Sequence, residues 1–244
     1  MRTITSRRVN VNGYAGQVPY DHTLIDGLLL PDFCLQVADA FPPSNASGWF
    51  SYDNPLERKR VYNDRYGEPE AIQALYDTLS ADGFLDLLEQ ITGKEGLAWD
   101  DTMHAAGLCV ATKGGKLDLH RDANLHPNKH WRRALTAVLF LNDDWQVDWG
   151  GNLELWSERD GQPFKLEKSI EPKLGRLLLF DPNGYHGYPE PLTCPEGIER
   201  KTVQVFYWCQ AENTDNGRKR ALFAPRPHDP QNPELDQLRL SRSM

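Results

Sequence analysis

Along residues 31–41 the apolar side chains Phe33, Val37 and Phe41 recur every fourth position, the spacing of one helix face, until Pro42-Pro43 ends the pattern. Residues 69–80 repeat the signal. Pro69 suits a first helical position, and Ile72, Leu75, Tyr76 and Leu79 fall on one face. A third helix is expected over 84–91, bounded by Gly83 and Gly93. The stretch 42–67 between the first two helices is rich in Pro, Asn, Ser and charge and reads as a long surface loop. From about Gly107 the texture changes to short β-branched and aromatic runs broken by Gly, Pro, Asn and Asp, the signature of an all-β sandwich or barrel. Strands are expected at 107–112, 116–122, 134–141, 151–156, 164–171, 175–180 and 200–209. After Gln210 the chain is polar, carries four prolines and shows no period, so it reads as an extended surface arm. One domain is therefore expected over 1–244: an N-terminal helical support region and loop (1–106), a β core (107–210) and a C-terminal arm (211–244).

The 244 residues, 39% hydrophobic and 25% charged, suffice for a sizeable core and exclude intrinsic disorder. A net charge of −8 argues against a nucleic-acid partner. The four cysteines, Cys34, Cys109, Cys194 and Cys209, form no Cys-x-x-Cys pair, which argues against a zinc ribbon or a disulfide framework and for reduced thiols. The first residues lack the apolar core of a signal peptide, and the run Leu135 to Leu141 is too short to cross a bilayer. A cytoplasmic protein without a membrane partner is expected; oligomeric state stays open.

Candidate chemistry begins in Lys116–Asp122, where alternation turns Leu117 and Leu119 one way and His120 and Asp122 the other. An imidazole and a carboxylate two apart on one strand face can bind one metal ion. Further on, Gly175 to His186 gives a buried strand, a turn and a histidine followed by Gly187. Two histidines and one carboxylate make a facial triad with open positions for exogenous ligands. In the segment 200–208, Arg200, Thr202, Gln204 and Phe206 share a face opposite Val203, Val205 and Tyr207. A guanidinium beside a hydroxyl can clamp a carboxylate.

These motifs, with Trp131-Arg-Arg-Ala-Leu-Thr-Ala-Val-Leu-Phe-Leu-Asn142 and Trp149-Gly-Gly-Asn-Leu-Glu-Leu-Trp156 between them, resemble the 2-oxoglutarate and Fe(II)-dependent dioxygenases, in the prolyl-hydroxylase-like branch of bacterial type. The resemblance implies a mainly β fold with N-terminal helices around a double-stranded β-helix (jelly roll, cupin-like). It implies Fe(II) on His120, Asp122 and His186, the distal carboxylate of 2-oxoglutarate on Arg200 with Thr202, and ascorbate as a possible accessory reductant. Lys201 competes for the clamp, because some prolyl hydroxylases use lysine there and the insert Tyr188 to Gly197 lengthens the gap after His186. The strand before the metal pair lacks the tyrosine that often assists the cosubstrate in this family, and Thr136 is the candidate substitute.

With O2 and 2-oxoglutarate as partners, the resemblance implies oxidative decarboxylation to succinate and CO2 coupled to hydroxylation of an unactivated C–H bond. Halogenation is disfavoured because related halogenases lack the carboxylate present at Asp122. The substrate is either a peptidyl proline or a small metabolite or glycan. Nucleic-acid demethylases are disfavoured because Phe206 stands where they carry a second arginine. From other classes, a jelly-roll binding module without turnover and a zinc hydrolase using the same three ligands remain. Among neighbouring residues, His126 and His130 read as a loop at the barrel mouth, Trp145, Trp149 and Trp156 as packing, Arg132 and Arg133 as solvated strand-edge charges, and Arg58, Lys59 and Arg60 as a solvent-facing run in a loop able to act as a lid.

Overall fold

A computed structural model describes residues 3–5, 13–63, 69–212 and 217–243. In chain order its elements are β1 (His22–Ile25), α1 (Pro31–Asp39), β2 (Trp49–Asn54), β3 (Glu57–Tyr62), α2 (Glu70–Ser80), α3 (Asp82–Thr92), β4 (Ala98–Trp99) and β5 (Gly107–Ala111). They continue as β6 (Lys116–Arg121), β7 (Trp131–Phe140), β8 (Leu153–Arg159), β9 (Gln162–Ile170), β10 (Leu177–Phe180), β11 (Tyr185–Tyr188), β12 (Arg200–Gln210), β13 (Leu222–Phe223) and α4 (Pro233–Ser243). Pro69 stands one residue ahead of α2, where its missing N–H costs nothing. The strands hydrogen-bond antiparallel in the order β1-β10-β7-β12-β5-β3-β6-β11-β8-β9, curling into a double-stranded β-helix.

Two apolar clusters follow from strand alternation. On β7, Leu135, Ala137 and Leu139 face outward with Val203, Val205 and Tyr207 of β12, and Phe33, Val37, Ile72, Leu75, Leu79 and Leu88 of the helices cover them. The alternate residues Val138 and Phe140 face inward with Leu178, Phe180, Leu153, Leu155 and Tyr188, filling the barrel. The helices thus brace one face of the sheet and leave the interior for the site.

Two expectations of the chain's course need correction. The loop assigned to 42–67 contains the β2–β3 hairpin, whose β3 pairs with both β5 and β6 and so belongs to the barrel wall; residues 64–67 lie outside the described residues. His186 follows the turn at 182–184, as expected, and lies on a short strand of its own, β11. The C-terminal arm is partly regular: β13 adds to β6, and α4 closes against the barrel through Arg239–Asp118 (3.5 Å) and an Arg242–Glu57 bond. Residues 213–216 and 244 of the arm lie outside the described residues. The four cysteines are free, and no described helix is long and apolar enough to cross a membrane.

Candidate metal and cosubstrate site

β6 and β11 place His120 and His186 directly opposite one another in register, so both rings leave the sheet on the same side, with centroids 4.3 Å apart. The pairing is close. A Cβ on Gly187 would come within 2.7 Å of the Leu117 carbonyl, so the strand bearing His186 reaches β6 only because that residue is glycine. Each imidazole donates Nδ1–H to a carbonyl, Asp118 for His120 and Gly184 for His186, both at 3.0 Å. This fixes the tautomer and leaves each Nε2 lone pair free. Burial, reinforced by the other histidine, pushes His120 down to about 3, and burial also lowers His186, so both rings are neutral.

Asp122 Oδ1 lies 3.7 Å from Nε2 of His120 and 3.8 Å from Nε2 of His186. These gaps are too long for hydrogen bonds and short enough for one ion with bonds of about 2.1 Å to meet all three atoms. The other oxygen, Oδ2, accepts from Thr136 Oγ1 at 2.8 Å and from an Arg133 nitrogen at 3.2 Å. Burial alone would raise Asp122, but Arg133, the two histidines and Thr136 outweigh it and hold the carboxyl down at about 2. The buried set His120, Asp122 and His186 is the one group of metal-ligating side chains among the described residues, and two neutral imidazoles with one carboxylate fit Fe(II).

The expected clamp strand separates its candidates cleanly. Arg200 is buried and donates Nε–H to the Gly151 carbonyl at 2.8 Å, with its guanidinium 4.5 Å from the Tyr188 ring centroid. Gly151 has φ +75, and a Cβ there would meet Arg200 Cδ at 3.0 Å, which explains the glycine pair in the Trp149–Trp156 motif. Arg200 has no carboxylate partner among the described residues; its electrostatic neighbours are Tyr188 and Cys109. A buried guanidinium without a counter-charge fits a carboxylate ligand. Lys201 points the other way, out of the barrel, and donates Nζ–H to the Ala38 carbonyl at 2.9 Å. Thr202 is buried beside Arg200 and paired across from Cys109. Thr136 does not stand open for a cosubstrate, because its hydroxyl is spent on Asp122.

The metal group opens into a cavity of about 530 Å³, lined in part by Lys59, Cys109, Leu117, His120, Asp122, Arg133 and Phe206. Arg133, expected in solvent, is buried there. Between Tyr207–Leu135 and Trp208–Arg133 the β12–β7 register slips by one residue at Ala134, reversing which face Arg133 occupies. Arg132 does face solvent. Lys59 also turns inward, 3.4 Å from buried Glu57, while Arg58 pairs with Asp53 and Arg60 with Glu199 outside. Residues missed from the sequence are thus Arg133, Lys59, Glu57, Tyr188, Phe223 (stacked on His120, centroids 5.2 Å apart) and Arg242. The alternation Glu57-x-Lys59-x-Val61 was the available signal for the hairpin residues.

The packing expected of the tryptophans holds, whereas neither His126 nor His130 lines the cavity at the metal group. His126 is a structural residue. Its Nδ1 accepts from the Asn128 and Lys129 amides, and Nε2 donates to Asp100 at 3.2 Å, while His130 is exposed. Trp145 and Trp156 bond locally, to the Gly150 carbonyl and to Glu154, and Trp149 packs edge-on against Trp145.

Residues 105–208 match the family model of the 2OG-Fe(II) oxygenase superfamily. Among solved structures, a Pseudomonas putida prolyl-4-hydroxylase aligns with a TM-score of 0.56 at 17% identity over 84% of this chain and 95% of its own. The non-heme alpha ketoglutarate dependent carbocyclase SnoK from nogalamycin biosynthesis aligns with 0.56 at 13% identity, over 88% and 85%. HygX from Streptomyces hygroscopicus, with nickel, 2-oxoglutarate and hygromycin B bound, aligns with 0.51 at 15% identity, over 77% and 82%. No curated protein matches the chain significantly. The β core over residues 105–208 thus matches the 2OG-Fe(II) oxygenase superfamily, dioxygenases that use Fe(II) and 2-oxoglutarate, and the fold is shared with a prolyl hydroxylase.

Proposed function

We propose that His120, Asp122 and His186 hold the Fe(II), that Arg200 with Thr202 holds the distal carboxylate of 2-oxoglutarate, and that the enzyme hydroxylates a C–H bond of a small molecule entering the 530 Å³ cavity. The observation that carries the reading is a neutral His/His/carboxylate set in the same barrel as a buried guanidinium with no carboxylate partner among the described residues. Bound Fe(II) supplies the coupling of O2-driven decarboxylation of 2-oxoglutarate, to succinate and CO2, with oxidation of the substrate C–H.

The protein's part is positional. Backbone carbonyls lock both imidazoles, and Thr136 and Arg133 occupy Oδ2 of Asp122 so that Oδ1 alone faces the histidines. The Gly151 carbonyl takes one donor of Arg200 and leaves the two terminal nitrogens for a carboxylate. Tyr188 and Phe140 wall that guanidinium from water, which strengthens the pairing. A small molecule is favoured over a peptidyl proline because the cavity, flanked by the β2–β3 hairpin on one side and the segment 219–223 with Arg242 on the other, has the volume of a ligand pocket.

The test is succinate release from 2-oxoglutarate by iron-loaded protein in air, with and without candidate small molecules. Fe(II)-dependent succinate, lost in Asp122→Ala, is the expected result. Folded, iron-loaded protein that consumes no 2-oxoglutarate would overturn the reading and favour a zinc hydrolase or a binding module.

A further inference from the structure

We propose that the substrate carries a carboxylate or phosphate group, and that Arg133 receives it at a position separate from the Arg200 clamp. Arg133 is buried and lines the cavity, its guanidinium 3.4 Å from the centroid of Phe206 and 5.1 Å from that of Trp208. One nitrogen is used on Asp122, while Nε has no partner. A buried guanidinium on the wall of a cavity is suited to pair with an oxyanion.

The charge of the wall points the same way. Acidic residues outnumber basic ones 35 to 27 in the whole chain. The cavity reverses this, with Lys59, Arg133, Lys219, Arg220 and Arg242 against only Glu57 and Asp122. Both acids are already engaged, Glu57 by Lys59 and Arg242, and Asp122 by Arg133 and the two histidines. Lys219 and Arg220 stand exposed at the rim with no ion pair among the described residues, so the entrance attracts anions.

This excess is not explained by 2-oxoglutarate. Arg133 is paired opposite Trp208 on β12, eight residues along the strand from Arg200. That is roughly 26 Å between backbone positions at about 3.3 Å per residue, so the two guanidiniums enter the interior from separate places along the strands. The distal carboxylate of a cosubstrate held by Arg200 is therefore not the partner of Arg133. Because Arg133 also touches Asp122, the acid group of the substrate lies at the metal end of the cavity, and the carbons next to it face His120 and Asp122.

The proposal rests on Arg200 being the cosubstrate clamp, and the experiment keeps the two claims apart. Protein loaded with Zn(II), which has no redox chemistry, is saturated with 2-oxoglutarate. It is then titrated by calorimetry and ligand-observed NMR with matched fragments that share one body and end in a carboxylate, a phosphate monoester or a primary amide. Acid-terminated members should bind about tenfold more tightly than their amides, the worth of one charge-assisted hydrogen bond, and the better of the two acids identifies the group. Arg133→Gln, titrated at saturating zinc and 2-oxoglutarate, should erase the preference. If Arg133→Gln loses zinc, the test passes to the rim variant Lys219→Ala/Arg220→Ala, which should cut the preference about threefold and flatten its salt dependence. Equal binding of acids and amides, no binding by any acid, or a preference that survives these substitutions overturns the proposal. Failure of the wild type to bind 2-oxoglutarate instead overturns the Arg200 reading.

Discussion

Asp122 divides its two oxygens between different tasks, one toward the histidines and one toward Thr136 and Arg133. Thr136→Val keeps the side-chain shape and removes the hydroxyl. It should destabilise the metal-free protein by about 1–2 kcal/mol and weaken Fe(II) binding roughly 10- to 100-fold, measured by urea melts and metal titration; unchanged Fe(II) affinity would show that the hydroxyl does not position the carboxylate. The metal set and the Arg200 face were legible in the sequence because alternation holds from Leu119 to Asp122 on β6 and along β12, although a register shift on β6 turns Leu117, expected on the opposite face, into the cavity with His120. Arg133 was not, because the slip at Ala134 inverts the alternation on β7 and no residue type there announces it. Lys59 was hidden differently: its neighbours Arg58 and Arg60 are true surface charges, and a strand with charges on both faces looks like a loop.

At the scale of elements, β11 and β6 approach more closely than a side chain at position 187 permits. Gly187→Ala should force the strands apart, cost about 1–3 kcal/mol and abolish Fe(II) binding through displacement of His186; a variant that keeps wild-type metal affinity would contradict the register argument. The C-terminal helix α4 escaped the sequence reading because prolines surround it and its few apolar residues, Leu235 and Leu238, make only a partial contact with the barrel cluster. It is nevertheless tied in by charge, through Arg239 to Asp118 and Arg242 to Glu57. Removing the chain from Pro233 onward leaves buried Glu57 with Lys59 alone and should lower stability by about 2–3 kcal/mol. An unchanged denaturation midpoint would mean that these pairs contribute nothing net.

For the whole molecule, the helices packed on the outer face hold the sheet rigid while the inner face carries neutral imidazoles, one carboxylate and an unpaired guanidinium. Such an interior is completed by ligands, so they should stabilise the fold: Fe(II) or 2-oxoglutarate at 100 times its Kd adds about 2.7 kcal/mol, and chelator should remove the metal's share in a thermal melt. The jelly roll and the place of the site within it could be read from the sequence, since both follow from strand periodicity and the order of the motifs. The shape of the cavity could not, because the hairpin at 49–62 and the tail at 217–243 that flank it lack a strong apolar period. The most direct test of the central claim is an anaerobic titration of metal-free protein with Fe(II) and then 2-oxoglutarate, following the weak visible charge-transfer band of a chelated keto acid. The account predicts a band in the wild type and in Lys201→Ala, and a band that requires far more 2-oxoglutarate in Arg200→Ala, whose Fe(II) affinity is unchanged. No band in folded, iron-loaded wild type, or a greater loss in Lys201→Ala than in Arg200→Ala, would contradict it.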